Sequence, residues 1–239
     1  MSINKLKEFL DCSNNIVFFG GAGVSTESNI PDFRSANGLY NENTKSMYTP
    51  EEMLSHTFFV EHPRKFYDFY RTKMIYKDAR PNKAHIALAK LEESGKLKAV
   101  ITQNIDGLHQ MAGSKNVLEL HGSIHRNRCM NCHKVFDVSY ILNSADIPGC
   151  DVCQGIVKPE VVLYEENLDN DIFETSIDYI SKADVFIVGG TSLSVYPASG
   201  LVSYYKGNKL ILINKTQTPY DNRADLVLHG NIAEILNKV

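Results

Sequence analysis

The sequence predicts an α/β protein in which a parallel sheet has helices on both faces and is interrupted by two inserts. Short apolar runs rich in β-branched residues alternate with amphipathic helical patterns, as expected when strands and helices alternate along a parallel sheet. The apolar runs lie at Ile16–Phe19, Leu97–Thr102, Val117–Leu120, Ile156–Tyr164, Val185–Val188, Lys209–Ile213 and Leu226–Leu228. Polar residues and cysteines break this alternation twice, which places a mostly helical insert at 35–79 and a cysteine-rich insert at 123–157.

Size and charge exclude several classes of protein. A chain of 239 residues suits one large or two small domains, and 43% hydrophobic residues provide a sizeable core. The formal net charge is −3, and the sequence contains no block of like charges. We therefore expect neither nucleic-acid nor membrane partners. We find no signal peptide and no apolar run of membrane-spanning length, and we therefore expect a cytoplasmic protein.

The first strand enters a glycine turn, Gly20 to Gly23, and the pattern continues as a helix to about Asn29. This layout binds phosphate in many proteins, because small residues let backbone N–H groups approach the anion and the helix adds its positive dipole end. Thr26 stands where the third glycine of G-x-G-x-x-G would be. On these residues alone, nucleotide binding stands only slightly ahead of a purely structural turn.

Helical patterns follow in both the insert and the main domain. We expect helices near 2–11, 50–61, 63–76 and 81–93, and Asn231 with Glu234 three residues later predicts a capped start for the last helix. The segment 35–46 is polar and irregular, which indicates an exposed loop.

The cysteines form two close pairs, Cys129-x-x-Cys132 and Cys150-x-x-Cys153, with seventeen residues between the pairs. In a reducing compartment this spacing indicates a metal site rather than disulfides. Four thiolates fill the tetrahedral coordination sphere of Zn²⁺ and leave no position for water or substrate. We therefore expect one structural Zn²⁺ that holds the second insert together.

Polar residues follow several strands at the carboxyl edge of the predicted sheet, where an open α/β sheet binds its ligand. Gln103, Asn104 and Asp106 follow the strand Leu97–Thr102, although a loop that only caps a helix explains them equally well. His121 is a lone histidine after an apolar strand, and most such histidines are structural. Further polar turns occur at 189–192 and 213–215. Several such turns at one edge favour a ligand site over separate structural explanations.

Seven motifs run along the chain in a fixed order: GAGVSTESNIPDFR (21–34), TQNIDGLH (102–109), HG (121–122), the two CxxC pairs, KPEVVLYEE (158–166), GTSLSVYPA (190–198) and LIN (212–214). Together they resemble the sirtuin family of NAD-dependent protein-lysine deacylases, over nearly the whole chain and in the manner of a bacterial catalytic core. The resemblance implies a Rossmann-like NAD-binding domain at 1–34, 80–122 and 158–239. It assigns 35–79 to a helical insert with the cofactor loop and 123–157 to a zinc-binding insert, which together form a smaller domain.

The same resemblance implies NAD as co-substrate and a set of site residues. His121 would be the general base, with Asn104 and Asp106 as the other catalytic residues. Phe33 would cover the nicotinamide pocket, and Arg34 would meet the pyrophosphate. The full set expected to bind NAD is Gly21, Ala22, Gly23, Thr26, Phe33, Arg34, Gln103, Asn104, Ile105, Asp106, His121, Gly190, Thr191, Ser192, Asn214, Lys215 and Ile232. The set expected to bind the substrate peptide is Val162, Leu163, Tyr164 and Glu165.

In the family, the acyl oxygen of the substrate lysine attacks the ribose carbon as nicotinamide leaves, and the base then activates a ribose hydroxyl. The expected products are free lysine, nicotinamide and O-acyl-ADP-ribose. Members that prefer acidic acyl groups carry a tyrosine and an arginine three residues apart after the glycine motif. Residues 41–48 contain no arginine, so we expect acetyl or another neutral acyl group. Glu165 and Asn29 stand where members commonly have glycine, and Glu165 thereby bears on peptide selectivity.

Three other functions compete with this interpretation. A dehydrogenase would need a second strand ending in an acid about twenty residues past the glycines, where this sequence has a polar loop containing Glu42. An ADP-ribosyltransferase or NAD glycohydrolase on the same scaffold stays open. A non-catalytic zinc-containing binding module is disfavoured by His121, Asn104 and Asp106 together. We expect acetylated-lysine proteins or peptides as partners and a monomeric protein.

Overall fold

The strands of the computed structural model, which describes residues 2–33, 35, 38–41 and 47–239, fall into two sheets. They are β1 (Ile16–Gly20), β2 (Leu97–Thr102), β3 (Val117–Glu119), β4 (Gly122–Cys129), β5 (Val135–Phe136), β6 (Val157–Val161), β7 (Val185–Gly189), β8 (Leu210–Asn214) and β9 (Leu226–His229). Six strands form a parallel sheet in the order β3-β2-β1-β7-β8-β9, and a three-stranded antiparallel sheet has the order β5-β4-β6.

The main sheet has the strand order of a dinucleotide-binding fold. When its own six strands are numbered along the chain, their order is 3-2-1-4-5-6. The winding direction reverses between β1 and β7, where Gly20 pairs with Gly189 at the carboxyl ends of both strands. Ligands of open α/β sheets bind at such a switch point. The Rossmann-like parallel sheet that the sequence predicts is therefore confirmed.

The helices of the described residues are α1 (Ser2–Asp11), α2 (Pro50–Met53), α3 (His56–Glu61), α4 (Pro63–Lys73), α5 (Lys83–Glu93), α6 (Leu108–Met111), α7 (Val138–Asn143), α8 (Asn170–Lys182) and α9 (Ile232–Leu236). Four of them, α1, α5, α8 and α9, pack on the two faces of the main sheet. On one face, α1, α5 and α9 bury Leu6, Leu88 and Ile232 in a single apolar cluster with strand residues. On the other face, α8 buries Ile180 in a cluster with Phe19. Each such side chain contributes roughly 1.5–3 kcal/mol to the free energy of folding by leaving water.

Among the described helices, none has the length and apolar character needed to cross a bilayer.

Local capping explains where several helices begin. The predicted helix over 50–61 is two helices, because Thr49 and Glu52 form a capping box at α2 and Ser55 then accepts a hydrogen bond from Phe58 N–H at the start of α3. Asn231 caps α9 as predicted. Its side chain accepts a hydrogen bond from the backbone N–H of Ala233.

The prediction of a helix directly after the glycine turn is wrong. The chain instead forms two separate 3₁₀ turns, Ala22–Val24 and Thr26–Ser28. Asn29 adopts a left-handed conformation with φ of 61° and ends the second turn, as its short polar side chain allows. The chain therefore has no α-helix dipole at this position.

The smaller domain combines the helical insert with the antiparallel sheet. Phe66, Tyr67 and Tyr70 of α4 are buried in one cluster with Ile124 of β4 and Ile141 of α7. Because β6 pairs with β4, the boundary predicted between 157 and 158 falls inside a strand of this small sheet. Residues 158–161 therefore lie outside the main sheet. The sequence did not predict this, because an apolar run indicates a strand but not the strand with which it pairs. The remaining domain boundaries stay predictions.

Candidate functional site

Two glycine turns pack against each other at the switch point. Gly21 N–H donates to Gly189 O (3.2 Å), and Gly23 N–H donates to Gly190 O (2.8 Å). A Cβ atom on Gly23 would lie only 2.8 Å from Gly190 Cα, and one on Gly21 would lie 2.8 Å from Thr191 Cβ. Glycine is therefore required here because a second backbone approaches closely. Thr26 begins the second 3₁₀ turn, and its hydroxyl donates to Gly23 O (3.1 Å) in the first.

A hydrogen-bonded triad joins this turn to the end of β2. Ser25 Oγ donates to Asp106 Oδ2 (2.6 Å), and Asn104 Nδ2 donates to Ser25 Oγ (3.0 Å). The structure thus brings the predicted Asn104 and Asp106 together through Ser25, which the sequence interpretation did not select as a site residue. Ser25 lies within the quoted motif 21–34, but nothing local distinguishes it from the serine and threonine residues beside it.

Asp106 is partly buried and held by several hydrogen bonds. Burial raises the pKa of its carboxyl group, and the hydrogen bonds from Ser25 and from Leu108 N–H (2.9 Å) partly offset that effect. Gly107 follows with φ of +73°, and a Cβ atom there would lie 2.7 Å from the ring of His125. His125 Nε2–H donates to Asp106 O (3.0 Å), which fixes the backbone on the other side.

His121 has a defined tautomer. Its Nδ1 lies 2.9 Å from Gln103 O, and because a carbonyl only accepts, Nδ1 carries the proton. Burial lowers the pKa of the imidazole, opposed by this hydrogen bond. The ring is therefore neutral at pH 7, with Nε2 available to accept a proton. Gln103 itself bridges the two halves of the sheet, since its N–H donates to Gly20 O (3.0 Å) and its Nε2 to Thr191 Oγ1 (3.1 Å).

The predicted adenosine-side residues gather at the ends of β7 and β8. Gly190 has φ of +60° and its N–H donates to Ile213 O (3.0 Å), so the turns that continue to Thr191 and to Asn214 begin side by side. Ile232 at the start of α9 packs over Gly189. These residues come from distant parts of the chain and meet at one edge because parallel strands present their carboxyl ends together.

The residues predicted for the nicotinamide side include Phe33 and Ile105. Phe33 packs against Tyr40, with ring centroids 5.4 Å apart, and Ile105 packs against the core of the smaller domain. Arg34 and most of the loop predicted over 35–46 lie outside the described residues. A dehydrogenase would require a second strand between β1 and α2. The described residues of that stretch contain none.

The predicted peptide segment adjoins the histidine. Val162 N–H donates to His121 O (3.0 Å), and Leu163 N–H donates to the Glu166 carboxylate (2.9 Å). Tyr164 pairs with the turn between α2 and α3, and its hydroxyl lies 2.6 Å from that of Tyr40. One short segment therefore contacts both the histidine strand and the residues that follow the glycine motif.

The four cysteines have the geometry of a tetrahedral metal site. All four Sγ atoms lie within 4.8 Å of one another, with Cys129 and Cys153 at 3.4 Å and Cys132 and Cys150 at 3.6 Å. Zn–S bonds of about 2.3 Å imply Sγ–Sγ edges of about 3.8 Å. Backbone N–H groups of Asn131, Cys132 and Val152 point at Cys129 and Cys150 Sγ, which stabilises thiolates. The donor set fits one structural Zn²⁺.

The switch-point site and the closed cysteine cluster define a dinucleotide-binding α/β protein with a separate metal-stabilised module. Comparison with known proteins is consistent with that class: the model of the Sir2 family matches residues 21–197. The chain belongs to the Sir2 family.

Relatives and solved structures cover the chain almost completely. It is 65% identical to an NAD-dependent protein deacetylase of Clostridium acetobutylicum over 99% of this chain and 97% of the relative. A Staphylococcus aureus protein of the same name is 43% identical over 99% of this chain and 97% of its own length. A Sir2 structure with a deacetylated p53 peptide and 3'-O-acetyl ADP-ribose has a TM-score of 0.91 at 40% identity, covering 100% of this chain and 97% of the other. A Sir2 structure with p53 peptide and NAD⁺ has a TM-score of 0.87 at 40% identity, with the same coverage.

Proposed function

We propose that this chain is an NAD-dependent protein deacetylase that transfers the acetyl group of a modified lysine to ADP-ribose. The products are free lysine, nicotinamide and O-acetyl-ADP-ribose. Whole-length identity to proteins of that name supports the activity and the use of NAD. The observation that carries the proposal is the neutral His121, whose unprotonated Nε2 stands at the same sheet edge as the Ser25–Asn104–Asp106 triad.

The residues present fit NAD, because two glycine turns approach each other at the switch point and amide and carboxylate groups surround them. When bound, NAD supplies the ADP-ribose acceptor and the nicotinamide leaving group. Asn104 and Asp106, oriented by Ser25, would hold the nicotinamide end, and Thr191, Ser192 and Asn214 the adenosine end. His121 Nε2 would accept a proton from a hydroxyl group while Gln103 O stabilises the imidazolium that forms.

The substrate is an acetylated lysine in a peptide or protein, and 162–165 is the segment that we assign to its backbone. Solved Sir2 relatives contain p53 and acetylated peptides. Other neutral acyl groups remain within the proposal, since 41–48 contains no arginine to pair with an acidic one. A monomer in the cytoplasm, without nucleic-acid or membrane partners, completes the proposal, and five cysteines without a disulfide support a reducing compartment.

Mass spectrometry of a reaction with NAD and an acetylated peptide tests this function. We expect nicotinamide, O-acetyl-ADP-ribose and free lysine in equal amounts. His121→Ala should lower kcat by about 10²–10⁴-fold, the range of a lost general base. His62→Ala is the matched control, because His62 contacts Phe58 and Tyr48 at the end of α3 and not the site. Mass added to an acceptor protein would support an ADP-ribosyltransferase instead, and NAD consumption without peptide would support a glycohydrolase.

A further inference from the structure

We propose that Glu165 makes the enzyme prefer acetyl-lysine sites flanked by basic residues. This inference rests on the proposed deacetylase function and on the assignment of 162–165 to the substrate peptide. It concerns which peptides are favoured and adds nothing to the chemistry of acyl transfer.

The segment that carries Glu165 offers backbone groups to an extended chain. It continues from β6, which is an edge strand of the small sheet. Within the described residues, Val162 O and Glu165 N–H take part in no hydrogen bond, whereas Val162 N–H is bound to His121 O. Unpaired groups along an edge beside a histidine are suited to a peptide that adds as a further strand.

Glu165 occupies a backbone conformation that disfavours its side chain. Its φ is +76°, in the left-handed region that glycine adopts freely and that costs a residue with a Cβ atom roughly 1–2 kcal/mol. The carboxylate offsets part of this cost, because Glu165 Oε2 accepts from Thr57 N–H (2.9 Å) and from Thr57 Oγ–H (2.7 Å). The two bonds hold the carboxylate in one position.

The charge of Glu165 is matched less closely than that of its neighbour, because His56 acts on it without forming an ion pair. Glu166 lies 3.1 Å from Lys158 Nζ, so its charge is matched locally, and its carboxylate also lies 2.9 Å from His56 Nδ1. Glu165 forms no ion pair with any residue in the described part of the chain, and its side chain is exposed. The hydrogen bonds from Thr57 lower the pKa of its carboxyl group, which is therefore ionised at neutral pH. A fixed negative charge thus faces solvent on the peptide segment.

A fixed carboxylate attracts a lysine or arginine side chain of the substrate more than it attracts a neutral one. Exposed ion pairs change equilibrium constants by about 1.5- to fivefold, and salt weakens them. We therefore expect the wild-type enzyme to have a kcat/KM about two- to fivefold higher for a peptide with lysines on both sides of the acetyl-lysine than for the same peptide with glutamines.

The experiment measures kcat/KM for three peptides of equal length with lysine, glutamine or glutamate flanking the acetyl-lysine. The enzymes are the wild type, Glu165→Gln and Glu174→Gln. Glutamine keeps an acceptor for Thr57 but removes the charge. Glu174 is an exposed acid on α8, so its variant has the same net charge change away from the segment. Glu165→Gly is a second variant, since glycine suits φ of +76°.

The preference for lysine over glutamine should fall to about one in both Glu165 variants and stay at the wild-type value in Glu174→Gln. It should also fall towards one in the wild type at about 1 M salt, where screening acts over about 3 Å. Equal preferences in wild type and Glu165→Gln would overturn the inference. So would a uniform loss of activity on all three peptides, which would assign Glu165 a purely structural role at α3. If the wild type deacetylates none of the three with NAD, the proposed function fails first and this inference fails with it.

Discussion

The hydroxyl group of Ser25 gives the sharpest test of the candidate site, because it is the link between Asn104 and Asp106. Replacement by alanine removes a donor 2.6 Å from Asp106 Oδ2 and an acceptor 3.0 Å from Asn104 Nδ2. No substrate contact is assigned to Ser25, so its role is to position the other two side chains. Its loss should therefore be felt in catalysis more than in folding.

The magnitude follows from the two hydrogen bonds. A bond to a charged group contributes about 1.5–3 kcal/mol, and an amide donor left without a partner adds about 1–3 kcal/mol. Asn104 and Asp106 are only partly buried, so water replaces some of what is lost. We expect a net loss of about 2 kcal/mol, which corresponds to about thirtyfold in kcat/KM.

Rates of nicotinamide release from NAD and an acetylated peptide, measured from pH 5 to 9, provide the assay. The Ser25 hydrogen bond lowers the pKa of Asp106, so its removal should raise that pKa and move the acidic limb of the profile to higher pH. Ser28→Ala is the control, because Ser28 is a buried serine near Ser25 whose hydroxyl accepts from Asn82 Nδ2 (2.9 Å) and, among the residues that the structure describes, contacts neither Asn104 nor Asp106 through a hydrogen bond.

A folded Ser25→Ala protein with wild-type kcat/KM and an unmoved pH profile would refute the positioning role. An equal loss in Ser28→Ala would also refute it, since the effect would then belong to the turn as a whole. Circular dichroism and the unfolding midpoint in urea establish that both variants are folded.

Three further predictions concern stability. Zinc removal by a chelator, or Cys150→Ser, should unfold the module of β4 to β6 and abolish activity, since a structural zinc contributes about 10–16 kcal/mol in isolated zinc fingers; retained near-UV circular dichroism and turnover without zinc would contradict the assignment. Gly23→Ala should cost about 1–3 kcal/mol in urea unfolding, because the new Cβ would lie 2.8 Å from Gly190 Cα. Gly200→Ala, where no atom lies within 4 Å of the Cβ position, should cost less, and equal costs would refute the packing argument. Burial lowers the pKa of His85 to about 4, so the unfolded chain takes up the proton first, and stability should fall from about pH 6.5 to pH 4 by at most about 3 kcal/mol. His85→Gln should flatten this part of the urea-derived stability profile, and an unchanged slope would exclude His85 as its cause.

Much of the fold is predictable because strands and helices leave local patterns. The runs at Leu97–Thr102 and Val185–Val188 form β2 and β7 because β-branched residues suit a buried pleated surface. The run that begins at Ile156 looks the same locally, yet β6 pairs with β4 in the small sheet. Strand pairing depends on which sheet edge lies next to the strand in the folded protein. The residues of an apolar run do not specify that edge.

The site divides in the same way. The cysteine spacing predicts a metal site whose Sγ atoms do converge, because four thiolates at such intervals suit one tetrahedral ion. Ser25 could not be selected, because its partner Asp106 is 81 residues away and a serine after a glycine turn equally well caps a helix. The left-handed conformation of Glu165 could not be predicted from the sequence either, because glutamate seldom adopts it.

The sequence by itself determined the parallel α/β architecture, the metal module and the order of polar turns, since each follows from periodicity, spacing or backbone sterics within a few residues. Only the tertiary structure decided that two 3₁₀ turns stand where a helix was expected, that Ser25 joins Asn104 to Asp106, and that His121 donates through Nδ1 to Gln103 O. Those features depend on groups brought together across the switch point. Hydrogen bonds between residues far apart in the chain form only once the sheet has aligned its carboxyl ends.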